Sequence, residues 1–199
     1  MTKRKLVAFD FDGTITNKDT FLSFIRFVKG NKAFYLGFAK HILPIIGFKA
    51  GLYPNWKAKQ LVFSHFFKGM NYQEFQEYGN KFSIEIEKMI RPAAREAIRT
   101  AVREADAVYV ITASVEDWVK PWCNQNGISL VLGTTVEVDA DGKLTGRFSC
   151  ANCYGQEKVN RLLLKEPDRS SYTLQSFGDS KGDKQLIAFS DEGWLNKFV

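Results

Sequence analysis

Cysteine is scarce in this chain, with three in 199 residues. An odd number of thiols, with no signal-like segment at the N-terminus, does not read as a disulfide framework; reduced thiols in a cytoplasmic protein are expected. Cys150 and Cys153 have the spacing of half a zinc site, but no second pair follows and Cys123 stands apart, so no structural zinc is expected. Long uninterrupted apolar runs are also missing. The most apolar stretch, residues 33–53, carries Lys40 and His41 in its middle and Pro44 just after them. A spanning helix needs about 20 mostly apolar residues. Two short core helices broken at Pro44 and Gly47 are the expectation, and a segment lying on a lipid surface is the alternative. There is no dense basic block either. A net charge of +6 favours anionic substrates or surfaces, yet the lysines and arginines are scattered, so nucleic acid is not an expected partner.

What is present suits a globular α/β chain. Hydrophobic residues make up 45%, enough for a proper core in one domain with an insertion. Residues 6–11 read as a first strand. From Asp19 and Thr20, which can cap a helix, Phe21, Phe24, Ile25 and Val28 recur at helical spacing up to Gly30. Residues 56–67, 72–79 and 82–90 continue as amphipathic helical stretches separated by Gly69 and Gly79. Residues 17–89 therefore read as one all-helical insertion.

Pro92 suits the first turn of a new helix, and strands alternate with helices from there. Strands are expected at 107–111, 128–132 and 172–177, with a last short one within 194–199. Ser114 with Asp117 has the look of a capping box for the helix through Trp118 and Trp122. Asp141-Gly142 between alternating stretches signals a hairpin, and residues 156–165 and 183–189 read as helices. The expected fold class is α/β, a Rossmann-like, mostly parallel sheet formed by residues 1–16 and 90–199, with the helical insertion set into it.

The stretch FDFDGTIT, residues 9–16, organises the rest. An apolar strand that breaks at Gly13 leaves Asp10 and Asp12 at its carboxyl end, where ligands of parallel sheets collect. Two carboxylates two residues apart can share a cation and one reacting atom, one attacking while the other moves protons. Such a pair suits attack on phosphorus, although Asp-Gly by itself also marks an ordinary turn.

FDFDGTIT resembles the first motif of the haloacid dehalogenase-like phosphatases. YVITAS (109–114) resembles the second, Lys158 in CYGQEKVNRL the third and GDSKGD (178–183) the fourth, in the family's order. The whole is similar to the branch that contains phosphoserine phosphatase, whose helical cap is inserted just after the first motif. The resemblance implies a Mg²⁺-dependent phosphomonoester hydrolase with Asp10 as nucleophile and Asp12 as general acid and base. It implies Asp10, the Asp12 carbonyl, Asp179 and Asp183 as metal ligands, with Asp183 binding directly or orienting a water. Thr112, the Ala113 N–H and Lys158 would meet the phosphate, with Ser114 beside them, and Thr14 would hold the loop. The Thr-Ala-Ser at 112–114 departs from that branch's usual Ser-Gly-Gly. Lys184 has no counterpart in the family pattern.

Asp19 falls where phosphoserine phosphatases carry a glutamate that binds the substrate amine, and it suits a helix cap equally well. The insertion also resembles phosphatidylglycerophosphatase C in DTFLSFIRF, HILPIIGFKAG and NWKAKQLVFSHFF. That likeness implies peripheral membrane contact through residues 33–53 and a lipid phosphate as the alternative to a small phosphomonoester such as phosphoserine. Arg26, Lys32, Lys57 and Lys59 could serve an anionic tail or simply face solvent. A phosphotransferase would use the same core residues.

Overall fold

The structure, a computed structural model, describes residues 3–40 and 55–199. Its centre is a five-stranded, all-parallel sheet. β1 (Arg4–Phe9) lies between β2 (Ala107–Val115) and β6 (Tyr172–Gly178), with β3 (Leu130–Thr134) outside β2 and β7 (Glu192–Leu195) outside β6. A separate antiparallel hairpin pairs β4 (Val136–Val138) with β5 (Leu144–Phe148) around the expected Asp-Gly turn. Between β1 and β2 lie α1 (Thr20–Lys40), α2 (Asn55–Phe67), α3 (Tyr72–Glu87) and α4 (Pro92–Glu104). Then come α5 (Glu116–Gln125), α6 (Gln156–Lys165) and α7 (Lys184–Phe189). Among the described residues no helix is long and apolar enough to cross a membrane.

Alternation in β1 splits the core in two. Val7 and Phe9 join the large cluster that runs into α1–α5, while Leu6 and Ala8 join a smaller one with Leu162 of α6 and Leu186 of α7. With both faces covered, the strands are nearly continuous in apolar residues. Phe24 of α1 is the aromatic hub of the helical layer. Its ring centroid lies 4.7 Å from that of Trp118 in α5, 5.6 Å from Phe67, 5.4 Å from Phe75 and 5.2 Å from Phe82. One side chain thus fastens α1, α2 and α3 to α5, and truncating it to Ala would cost about 3–5 kcal/mol.

Several sequence expectations need correction. The first strand stops at Phe9, because the chain turns immediately through the Asp10–Thr16 loop. Gly30, with a non-helical φ of 76 and ψ of 165, does end the first helical segment of α1 as expected, and a second segment follows to Lys40 with Phe34 buried and Tyr35 and Leu36 exposed. Of the stretch 33–53, only this first part falls within the described residues. Gly79 does not separate two helices. It lies inside α3, where a Cβ would stand 2.4 Å from the Asp117 carbonyl oxygen. Pro121, inside α5, has no N–H to offer the Asp117 carbonyl four residues back, so glycine lets α3 close on that exposed acceptor. The last strand is 192–195 rather than within 194–199.

Candidate active site

Asp10 leaves the sheet while its N–H still donates to the Phe177 carbonyl at 2.9 Å. The loop then curls on itself, with Ile15 N and Thr16 N both donating to the Phe11 carbonyl, at 2.9 and 3.0 Å. Gly13 makes the curl possible. Its φ is +85°, and a Cβ there would fall 2.3 Å from Asp179 Oδ2. Thr14 holds the loop from within, its hydroxyl donating to Asp179 Oδ1 at 3.0 Å and standing 3.4 Å from Asp10 Oδ2.

Asp179 follows the last residue of β6, as the sheet rule anticipates. One short turn on, Asp183 folds back. Its Oδ2 accepts from Asp179 N (3.2 Å), Ser180 N (2.9 Å) and Ser180 Oγ (2.8 Å). Gly178 admits this return, since a Cβ there would lie 2.3 Å from that of Asp183. Lys158, near the start of α6, is fully buried. Its Nζ donates to Asp10 Oδ1 and Asp183 Oδ1, each at 2.5 Å. The four family-like motifs thus meet at one place.

Asp12 is held on both oxygens. Thr20 N donates to Oδ1 at 2.7 Å, and the Ser114 hydroxyl donates to Oδ2. Here the sequence reading of Ser114 as a helix cap fails. β2 runs on to Val115, α5 starts at Glu116 without a side-chain cap, and the Ser114 hydroxyl is spent on Asp12 and Thr20 instead. Ala113 is accordingly strand backbone, not the first N–H of a helix. Thr112 is buried, and its Oγ1 accepts from Ser114 N at 3.0 Å. Asp19 does cap α1, its Oδ1 accepting from Leu22 N at 2.9 Å, and it also lines the cavity described below.

Burial dominates the electrostatics. It pushes the Asp10 carboxyl up to about 7 against the pull of Lys158. It raises Asp12 too, with Asp19 adding repulsion while the Ser114 and Thr20 bonds oppose. For Lys158 burial works downward, but Asp10 and Asp183 outweigh it and hold the ammonium above the usual lysine value. For Asp183 burial works upward and Lys158 wins, keeping it ionised.

These groups open on a cavity of about 370 Å³. Its floor is Asp10, Asp12, Thr112 and Lys158; its opposite wall is apolar, with Phe21, Leu22, Phe38, Ala58 and Val62 from α1 and α2. Lys59, placed by sequence among peripheral charges, projects inside and donates to the Ala113 carbonyl at 2.5 Å. Asn152 and Tyr154, from the loop before α6, also line it and were not anticipated, although Tyr154 falls within the CYGQEKVNRL string that carries Lys158. Lys184 is exposed at the start of α7. Asp10, Asp179 and Asp183 can each present a carboxylate oxygen within 4.8 Å of the others, an all-oxygen set that fits a hard divalent cation.

Comparison with known proteins agrees with this geometry. The chain is 29% identical over 189 residues to protein CicA of Caulobacter vibrioides, covering 94% of this chain and 83% of that protein. It is 27% identical over 209 residues to a histidinol-phosphatase of Neisseria meningitidis, covering 95% and 88% respectively. A solved phosphoserine phosphatase, in a phospho-aspartyl intermediate analogue form, superimposes with a TM-score of 0.65 at 17% identity, covering 98% of this chain and 87% of that one. At that identity the likeness speaks for the fold. Residues 7–188 match the haloacid dehalogenase-like hydrolase family, a span from β1 into α7 that takes in both the first aspartate pair and the last, and the chain belongs to that family of hydrolases.

Proposed function

We propose that the protein is a Mg²⁺-dependent phosphomonoester hydrolase that works through an aspartyl-phosphate on a small phosphorylated metabolite. The observation that carries this reading is the division of labour between two carboxylates on one cavity floor, Asp10 against the Lys158 ammonium and Asp12 against neutral donors. An Asp10 oxygen attacks phosphorus in line with the ester oxygen, and the P–O bond to the alcohol breaks. Asp12, which burial keeps disposed to carry a proton, gives it to the departing oxygen. As a carboxylate it then takes a proton from water. That water attacks phosphorus, the bond to Asp10 breaks, and inorganic phosphate leaves.

Lys158 offsets charge on Asp10 and the transferring group, and Thr112 with the Ala113 N–H meets the phosphate oxygens. Asp10, the Asp12 carbonyl and Asp179 would hold Mg²⁺; Asp183, with both oxygens already engaged, supports a water-mediated place for itself. When bound, the cation would supply charge neutralisation between the phosphate and the aspartates. Residues 17–89 serve in this reading as a cap domain that closes the cavity and selects the alcohol.

Asp19, half engaged as a helix cap, leaves its second oxygen for an ammonium group. Phosphoserine and histidinol phosphate, the substrates implied by the names of two similar proteins, both carry an amine on the carbon next to the ester carbon. A 2-amino alcohol phosphate is therefore our leading substrate class. Exposed Tyr35 and Leu36 favour a second reading, a lipid phosphate met at a membrane surface.

The test is phosphate release from a panel containing phosphoserine, histidinol phosphate, phosphoethanolamine, sugar phosphates and dispersed phosphatidylglycerophosphate, with Mg²⁺ and with EDTA. Mg²⁺-dependent release, lost in Asp10→Asn without loss of folding, is expected. Asp10→Asn activity within about tenfold of wild type would remove Asp10 from the nucleophile role.

A further inference from the structure

Asp12 is the last acceptor in a chain of hydrogen bonds that begins at an indole. The Trp118 Nε1–H of α5 donates to Thr20 Oγ1 at 3.2 Å, Thr20 Oγ1 lies 3.2 Å from Ser114 Oγ, and the Ser114 hydroxyl donates to Asp12 Oδ2. Trp118, Thr20 and Ser114 are all buried, so water does not readily replace a bond lost among them.

Counting hydrogens fixes the direction of the middle link. An indole nitrogen only donates and a carboxylate only accepts, while each hydroxyl has one hydrogen to give. The Ser114 hydrogen is committed to Asp12, so the Thr20 hydroxyl must supply the bond between Thr20 and Ser114. The chain therefore runs one way, from Trp118 through Thr20 and Ser114 to the carboxylate. Thr20 engages Asp12 a second time, its backbone N–H donating to Oδ1 at 2.7 Å. Bonds to both oxygens, from the end of β2 and from the start of α1, fix the plane of the carboxylate.

The far end of the chain is firmly seated. The Trp118 ring centroid lies 4.7 Å from that of Phe24, 6.1 Å from Phe21 and 6.3 Å from Phe75. Asp12 itself belongs to the loop that curls through Gly13, and it lines the cavity. A side chain on a turn is thus tied to a packed aromatic cluster.

We propose that Ser114, set by Thr20 and Trp118, is a positioning residue that holds the Asp12 carboxylate in the orientation from which it passes a proton to the departing ester oxygen. The proposal rests on the phosphatase reading above for the role of Asp12. Ser114 acts only through that carboxylate. A general acid matters most when the leaving group is poor, so lost orientation shows chiefly on esters of weakly acidic alcohols.

The experiment compares benzyl phosphate, whose alcohol departs poorly without a proton, with 4-nitrophenyl phosphate, whose phenolate departs unaided. In Ser114→Ala with Mg²⁺, kcat/KM for the benzyl ester is expected to fall about 10- to 100-fold, while that for the nitrophenyl ester stays within about threefold. For the nitrophenyl ester kcat and KM should fall together, because the later attack of water still needs Asp12 as base. Thr20→Val should shift the ratio of the two esters in the same direction. Added to Ser114→Ala it should shift it little further, since both act through one chain. A merely structural role would lower kcat/KM for both esters alike, and that result, or an unchanged ratio, would overturn the proposal.

Crystal structures of the wild type and of Ser114→Ala give a readout that needs no turnover. The Asp12 carboxylate is expected to turn from its wild-type orientation in the variant; an unmoved carboxylate would overturn the positioning role. If the wild type hydrolyses neither this pair nor any ester of the panel above, the hydrolase reading fails, while the two structures still decide whether Ser114 orients Asp12.

Discussion

The Lys158 ammonium lies 2.5 Å from Asp10 Oδ1, and both groups are buried, with the ammonium 2% and the carboxylate 9% exposed. Since Asp183 holds the same ammonium at the same distance, one cation balances two carboxylates at the cavity floor. Removing one partner of such a group leaves uncompensated buried charge. Lys158→Met is expected to lower kcat about 100- to 1,000-fold by withdrawing a fixed positive group from the transferring phosphate. Stability should also fall, by up to about 3–5 kcal/mol in the cation-free protein. Steady-state kinetics and urea unfolding read the two effects separately; unchanged kcat would detach Lys158 from the chemistry.

The titration of Asp10 couples cation binding to pH. Burial puts this carboxyl at about 7, so without a cation it is mostly protonated at pH 6 and mostly ionised at pH 8. A bound divalent cation requires the carboxylate, so binding displaces the proton wherever the free protein still carries it. Calorimetry of Mg²⁺ binding in buffers of different ionisation enthalpy should show close to one proton released at pH 6 and almost none above pH 8. The affinity should rise about tenfold per pH unit below 7 and level off above it. Proton release that does not vary over this range would show that the cation does not displace a proton from Asp10. The sign is the opposite for the stability of the cation-free fold. Because the folded-state value is raised above the ordinary aspartate value, protonated Asp10 adds stability below pH 7, and this is lost as the pH rises from about 4 through 7.

Much of this site was legible because its parts sit at strand ends. Asp10 and Asp179 follow apolar strands directly, and Lys158 and Asp183 occur in short strings whose order is as telling as their composition. Helical spacing likewise gave the buried face of α1 at Phe21, Phe24 and Ile25. What escaped depends on three-dimensional closure. Ser114 reads locally as a cap because Asp117 stands three residues on, and only the approach of the Asp10–Thr16 loop and α1 claims its hydroxyl for Asp12. Gly79 reads as a helix break, and its use becomes visible only with the Asp117 carbonyl against it. Lys59 looks like any lysine on an amphipathic helix until α2 docks over the end of β2.

Gly13 offers a test of how closely the first and fourth motifs must approach. Its backbone is in the left-handed region at +85°, and the Asp179 carboxylate occupies the space a side chain would need. Gly13→Ala therefore adds backbone strain of about 1 kcal/mol and drives Asp179 away from Asp10. The expected outcome is a folded protein whose apparent Mg²⁺ affinity is weakened at least about tenfold, with activity partly recovered at high Mg²⁺. Activity with an unaltered Mg²⁺ dependence would mean that Asp179 does not serve the cation.

Lys59 links the helical layer to the sheet through its bond to the Ala113 carbonyl, next to the residues assigned to the phosphate. Desolvation lowers its pKa, while Asp12 and Asp19 pull the other way. A half-buried ammonium facing two acids and an apolar wall is costly for stability, so its retention argues for a task on the substrate side. Lys59→Met keeps the apolar stem and removes the charge. We expect kcat/KM to fall about tenfold or more, chiefly through KM, because a charge-assisted contact to an anionic ester is lost. The melting temperature should hold or rise, since a desolvated charge has gone. A fall of several degrees with KM unchanged would instead make the Ala113 bond a structural tie between α2 and β2.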